Sequence, residues 1–334
     1  MRLTANSVLT LISDELRTHR INGCRLLVAV SGGGDSVALA LALSEITERF
    51  SLQLILAHFD HHTRDPAEHR ADRALVSDLA NAIGAPLFYG SAASPPSRDE
   101  AAAGGGYEAL ARAQRYGFLE SIGRSTGVRY CALAHTRDDQ VETVAMRLLG
   151  GIDSPLLAGM PAIRESGGVL FVRPALEVSG DALRAYARSR GASWREDTTN
   201  SDLRYRRNLV RHEIVPQARV SWPRLGDDLL VIARAYRERS RRLSSAADQV
   251  SVADRAGKTI ISAADLFRLA PDARLALLYQ TLSDRGMISR ENRPGHAFFA
   301  PLMGQPPRRN GIILEGRGMR FVLSGTRIEL SRLG

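Results

Sequence analysis

Short apolar runs alternate with longer helix-compatible stretches through the first 150 residues. The runs are LLVAV at 26–30, LQLILAHF at 52–59, PLFYG at 86–90 and RYCALA at 129–134. Helix-compatible segments fall at 36–49, 67–83, 107–122 and 137–149. This alternation predicts βαβ crossovers and a doubly wound parallel sheet. Ligands of such sheets collect at the carboxyl ends of the strands. Three segments are therefore the places to look for chemistry: SGGGDS at 31–36, HFDHHTR at 58–64 and HTRDDQ at 135–140.

SAASPPSRDEAAAGGG, before the third helical segment, is rich in Pro, Ala and Gly and predicts a mobile loop. Beyond residue 150 the pattern changes. GGIDSPLLAGM is loop-like, GVLFVRPAL predicts a strand, and 179–190 and 261–284 predict helices. The alternating GIILEGRGMRFVLSGTRIEL at 311–330 predicts a small antiparallel hairpin or meander. The chain thus divides into an α/β region, 1–220, and a smaller α+β region, 221–334, with the boundary between 215 and 245.

Charge sharpens this picture. Lys+Arg total 45 against 36 Asp+Glu, a net charge of +9, and Lys258 is the sole lysine. A polyanionic partner fits such a balance, although arginine-rich codon usage would produce the same composition. The excess concentrates at 184–242, with fifteen arginines against seven acidic residues. Cys24 and Cys131 lie far apart beside apolar runs and read as small core residues of a reducing compartment. No apolar run reaches 18 residues and the N-terminal stretch carries Asp14 and Glu15, so the expectation is a cytoplasmic protein without a membrane partner.

At SGGGDS, a turn between an apolar run and a helix, glycines allow an anion to approach the unpaired amides of a helix N-terminus. A Walker loop requires a lysine, which is missing. A dinucleotide fingerprint requires a third glycine where Val37 stands. What remains is a phosphate cradle of Ser31, Gly32, Gly33, Gly34 and Ser36, with Asp35 placed to hold Mg²⁺, or else a capped tight turn. In HTRDDQVET, Asp138 and Glu142 share a helix face at i, i+4 and could bind Mg²⁺ or an amine, or simply stabilise the helix N-terminus together with Asp139. HFDHHTR offers His58, Asp60, His61 and His62. It lacks cysteines and the spacing of a helix-borne zinc pair, so nucleotide contacts by His58 and His61 are the favoured expectation, although His58 alone could equally be a hydrogen-bonded core histidine. Arg112 and Arg115 lie on one helical face beside Leu110, Tyr116 and Leu119 and could turn toward phosphate. Arg204, Arg206, Arg207, Asn208 and Arg211 crowd one segment, which suits phosphate recognition and base stacking; a charged helix face is the alternative, but it would normally show more interspersed glutamate.

Taken in order over residues 25–217, these motifs resemble the tRNA(Ile)-lysidine synthetase family within the SGGxDS class of ATP pyrophosphatases. The matching segments are SGGGDS, HFDHHTR, EALARAQRY, AHTRDDQVET, RPAL and WREDTTNSDLRYRRNLVRHEIVP. Asp60 stands where the family often has Asn, and His62 where Gly is usual. The resemblance implies an adenine-nucleotide alpha-hydrolase-like fold, with a PP-loop catalytic domain at 1–220 and a tRNA-binding region at 221–334. It also implies a cytoplasmic ligase that uses ATP and Mg²⁺ to join free L-lysine to the wobble cytidine of tRNA(Ile) bearing a CAU anticodon. On this basis Asp35, Asp138, Arg112 and Arg207 are expected to be catalytic. Asp35 and Asp138 would hold the metal, and Asp138, Asp139 and Glu142 the lysine. Arg115, Arg204, Arg206, Asn208 and Arg211 would contact tRNA. A homodimer is compatible with this reading. A sulfur-transferring relative would need paired active-site cysteines, which Cys24 and Cys131 do not supply.

Overall fold

The computed structural model describes residues 4–61, 66–92, 107–150, 155–195, 206–247, 249–255, 257–288 and 294–333. Arg204, His62 and most of the expected 91–106 loop lie outside these residues.

Two compact units divide the chain. The first comprises Met1–Asp153 and Gly159–Val231, the second Ser154–Ala158 and Ile232–Gly334. In chain order the first contains α1 (Ala5–Thr18), β1 (Arg25–Ala29), α2 (Gly34–Glu45), α3 (Thr47–Phe50), β2 (Gln53–Asp60), α4 (Pro66–Ile83) and β3 (Leu87–Ser91). There follow α5 (Tyr107–Thr126), β4 (Tyr130–Ala132), α6 (Arg137–Leu149), β5 (Ile163–Ser166), β6 (Val169–Val172) and α7 (Gly180–Ser189). The unit closes with α8 (Arg206–Leu209), a π-helical turn at Val210–Ile214, α9 (Val215–Ser221) and the start of α10 (Leu225–Ala247).

The six strands stand in the order β3-β2-β1-β4-β6-β5, all parallel except the edge strand β5. Period-two alternation inside the apolar runs explains the two layers. Leu26 and Val28 enter one core with Val37, Leu39, Leu43 and Tyr186, whereas Leu27 enters the other with Tyr116, Leu119 and Phe171. Neither run is amphipathic because both of its faces are covered. The sheet reverses its winding between β1 and β4, and the crevice at their carboxyl ends is where such folds place ligands.

Two details depart from the sequence pattern. The helix expected at 36–49 breaks at Ile46 into α2 and α3. The strand expected at GVLFVRPAL is β6 alone, and it acquires a partner, β5, through a turn in which Gly167 and Gly168 have φ of 55° and 80°.

The second unit carries a five-stranded antiparallel sheet in the order β7-β8-β11-β10-β9. Its strands are β7 (Val252–Arg255), β8 (Lys258–Ser262), β9 (Gly311–Gly316), β10 (Met319–Ser324) and β11 (Arg327–Arg332). Helices α11 (Ala263–Arg268), α12 (Pro271–Asp284) and α13 (Ala300–Met303) accompany it. The segment expected to be helical at 261–284 is corrected here. Its first residues complete β8, Ser262 caps α11, and Pro271, which lacks an amide proton, starts a separate helix. Leu277, Leu278, Leu282, Phe299 and Phe321 form this unit's own core.

Candidate active site

The SGGGDS turn joins β1 to α2 at the reversal of winding. Gly32 has φ of 89°, a conformation that disfavours any side chain. Gly33 is the extended N-cap residue of α2. The Ser36 hydroxyl donates to Gly33 O at 2.8 Å, accepts from Ser31 N at 3.1 Å and lies 3.1 Å from Ser31 Oγ. Both serines therefore hold the turn itself. Protein atoms account for the third glycine: a Cβ on Gly34 would lie 2.9 Å from Trp194 Nε1 and 3.1 Å from Arg184 Cδ. The segment after α7 also donates Arg195 N to Gly32 O at 3.2 Å and sets Arg195 Nε 2.8 Å from Asp72.

Three helix N-termini, those of α2, α6 and α7, bring their acidic residues to this region. Thr136 and Asp139 form a capping box at α6, with Asp139 Oδ2 accepting from Thr136 N at 2.7 Å and from Thr136 Oγ1 at 3.0 Å. The other oxygen of Asp139 accepts from Arg207 Nη2 at 2.5 Å and Arg211 Nη2 at 3.2 Å. Glu142 accepts from Arg207 Nε at 2.9 Å and Arg211 Nε at 2.5 Å. The i, i+3 pair Asp139 and Glu142 thus works as a unit, in place of the expected i, i+4 pair of Asp138 and Glu142. Asp138 turns to α7, where it accepts from Gly180 N at 2.8 Å. The capping box causes this division, because it draws Asp139 back over its own helix end and leaves Asp138 facing the neighbouring one.

Asp35 Oδ1 accepts from Arg184 Nη1 at 2.8 Å. Burial pushes its carboxyl up to about 6; Arg184 opposes that shift and the negative charge of Asp139 adds to it. In Asp139 burial raises the pKa, but Arg207, the adjoining His135, the Thr136 amide and Arg211 outweigh it and carry the carboxyl below its usual range. Two carboxylates that repel one another, facing a strand-to-helix turn, suit a hard cation that takes one or two carboxylates and fills its shell with phosphate oxygens and water. Among the described residues no group of three His, Cys, Asp or Glu could hold a metal ion unaided.

The remaining expected residues separate by surroundings. His58 is buried, with Nδ1 2.8 Å from Val30 O and its ring stacked on Tyr89, a role in joining β1 to β2. Asp60, the residue at the usual Asn position, accepts from Tyr89 Oη at 3.0 Å and pairs with His69 at 2.8 Å. His61 is pushed down to about 4 by burial and by Arg115, and its buried Nδ1 has no hydrogen-bond partner among the described residues. Arg115 has a buried Nε, also without a partner among the described residues, and burial lowers its pKa. Arg112 donates to Tyr116 Oη at 2.9 Å and lines a pocket of about 360 Å³ with Glu120 and Arg164. Arg206 is exposed. Arg184, Trp194, Arg195, Asp72 and Thr136 were not legible as site residues. Thr136 left a signal in its T-x-x-D spacing, and Trp194 and Arg195 open the WREDTT motif without announcing a place at the turn; Arg184 and Asp72 reach the turn through tertiary contacts alone.

Cys24 precedes β1 at the end of the sheet remote from the turn, and Cys131 is buried in β4. Burial raises both thiols, so neither is an exposed thiolate at the site.

A glycine turn at the winding reversal of a doubly wound sheet, carboxylates at three helix N-termini and arginines to balance them define a nucleotide-binding α/β protein. A family profile described as a PP-loop domain matches residues 5–218. A tRNA(Ile)-lysidine synthase of Symbiobacterium thermophilum is 39% identical over 223 residues, covering 66% of this chain and 45% of that protein. One from Bordetella parapertussis is 35% identical over 277 residues, 81% of this chain and 76% of that protein. This chain belongs to the PP-loop proteins and, within them, to the tRNA(Ile)-lysidine synthase family. It spans less than half the length of the Symbiobacterium relative. The U34-tRNA thiolase NcsA from Methanococcus maripaludis, with its [4Fe-4S] cluster, shares the fold at a TM-score of 0.56 and 14% identity, over 70% of this chain and 78% of that one.

Proposed function

We propose that this chain is an ATP-dependent tRNA-modifying ligase. It joins free L-lysine to C2 of the wobble cytidine in the CAU anticodon of tRNA(Ile), so that the anticodon reads AUA instead of AUG. The carrying observation is the pair Asp139 and Glu142, held by Arg207 and Arg211 beside Asp35 and the glycine turn. Membership of the lysidine synthase family supports the same reading.

The cytidine O2 attacks the α-phosphorus of ATP and diphosphate leaves, which converts a poor leaving oxygen into a good one. The lysine amine then attacks C2, loses a proton and displaces AMP. Asp139 and Glu142 are the carboxylates to hold the lysine ammonium and, after its deprotonation, to orient the amine. The arginines already on them, Arg207 and Arg211, are then available to phosphate oxygens. Asp35, with Asp139 beside it, would hold Mg²⁺, which supplies charge neutralisation for the departing diphosphate. Asp138 serves α7 through Gly180. Half-buried, neutral His61 and the desolvated Arg115 suit the nucleotide or its α-phosphate. Exposed Arg206, with Arg204 and Asn208 of the same segment, suits the RNA backbone.

No described helix is long and apolar enough to cross a membrane. The cytoplasm, where tRNA, ATP and lysine meet, is the compartment this reading requires. Incubating the protein with tRNA(Ile), ATP and isotope-labelled lysine, then analysing the nucleosides by mass, tests the proposal. A cytidine heavier by one lysine less one water is expected. Diphosphate release without labelled nucleoside would refute the lysine assignment.

A further inference from the structure

The glycine turn lacks the lysine that Walker loops place on terminal phosphates, and tertiary structure brings a cation there from elsewhere. Arg184, on α7, lies 149 residues beyond Asp35 in sequence and donates to it at 2.8 Å. Its second contact, to Asp181 at 2.9 Å, involves a carboxylate that is 98% exposed and therefore weakly held. The guanidinium Nη1 stands 2.9 Å from the Cβ position of Gly180, the first residue of α7, while Cδ stands 3.1 Å from that of Gly34, the first residue of α2. One cationic side chain thus spans the positive ends of two helices. Asp35 is the close negative group that makes this placement favourable, and a diphosphate would replace it with more charge and with oxygens spaced for a guanidinium fork.

We propose that Arg184 is the residue that grips the terminal phosphates of the nucleotide, and that Asp35 parks it at the glycine turn until they arrive. The proposal rests on the ATP-consuming reading above and assigns the diphosphate portion to Arg184. Exchange of partners releases Asp35 for its metal at the moment the phosphates enter. A merely structural pair would tie α2 to α7 and have no effect on phosphate affinity. Trp194 offers a reporter, because its indole Nε1 lies 2.9 Å from the Gly34 Cβ position and its ring sits under Arg188 at 5.1 Å. The chain has two tryptophans, and the other, Trp222, is exposed.

In a Trp222→Phe background, inorganic pyrophosphate is titrated against Trp194 emission in EDTA buffer, with calorimetry in parallel. Arg184→Gln is expected to weaken pyrophosphate binding at least tenfold, with Arg184→Lys retaining most of the affinity. Asp35→Asn, which frees Arg184, is expected to tighten metal-free pyrophosphate several-fold. Equal affinity in the Arg184→Gln and parent proteins overturns the proposal. Should Arg184→Gln unfold, Asp35→Asn decides: unchanged or weaker binding overturns it. A parent that binds neither pyrophosphate nor Mg·ATP overturns the ATP-consuming reading itself, whereas binding indifferent to Arg184 overturns this inference alone.

Discussion

Asp35 lies between a guanidinium and a second carboxylate, and burial tips the balance toward its neutral form. Its native pKa of about 6 stands above the free value of 3.8, so between those pH values the native state holds a proton that the unfolded chain has released. The stabilisation this gives is full at low pH and is lost as pH rises through 6. In metal-free buffer Asp35→Asn is therefore expected to raise the melting temperature at pH 8 and to leave it nearly unchanged at pH 4. Equal shifts at both pH values would contradict the assigned surroundings. Asp35→Ala should also abolish pyrophosphate release while tRNA binding stays within a few-fold, which filter binding beside a pyrophosphate assay will check. The carboxylates of α6 divide differently. Asp138→Ala removes the acceptor of the Gly180 amide and should cost about 1 kcal/mol, with the KM for lysine unchanged. Glu142→Gln should slow lysine transfer roughly 100-fold, in the range of a lost charged contact to a reacting group, so that adenylylated tRNA accumulates. Rapid quench with radiolabelled ATP separates the two, and accumulation in the Asp138 variant instead would reverse the assignment.

At the scale of elements, α6 occupies the span its pattern predicts, because a T-x-x-D cap and the i, i+3, i+4 spacing of Val141, Val144 and Ala145 act locally. The breaks at Ser262 and before Pro271 were as local, yet the apolar run across them reads as one helix: Ile261, Leu266 and Leu277 are all buried, the first in a strand and the others in two separate helices. The arginine segment shows the limit of composition. Arg207 and Arg211 sit four residues apart, on α8 and the π-helical turn that follows, and both reach Glu142, so their charge is neutralised within the protein. Arg206 is exposed one residue away. In salt titrations of tRNA affinity, Arg206→Gln should flatten the log–log slope by about one. Arg211→Gln should leave the slope unchanged and impair turnover instead. A slope equally sensitive to both would place Arg211 on the RNA.

The whole molecule has two units with separate cores. If the units unfold separately, a ligand of the glycine turn stabilises the unit that binds it, and ATP at 100 times its Kd adds about 2.7 kcal/mol there. Hydrogen exchange with saturating ATP is expected to slow amides of β1, α2 and α6 while those of β8, β10 and β11 keep their rates. Protection spread equally over both units would show that they unfold as one.

From sequence alone came the parallel α/β fold, the glycine turn, the family and the run of arginines, since each is written in short-range pattern: strand period, helix period, cap spacing and motif order. Which residues meet was decided only by the tertiary structure. Asp138 and Asp139 are neighbours in an acidic motif, and the geometry of one capping box sends the first to α7 and the second to Arg207 and Arg211. Gly34 looked reserved for phosphate, yet the nearest groups are Trp194 and Arg184. Arg184 stands among other arginines with no motif around it. It becomes a partner of Asp35 because the sheet sets the start of α2 beside the start of α7, an adjacency that chain connectivity does not encode locally.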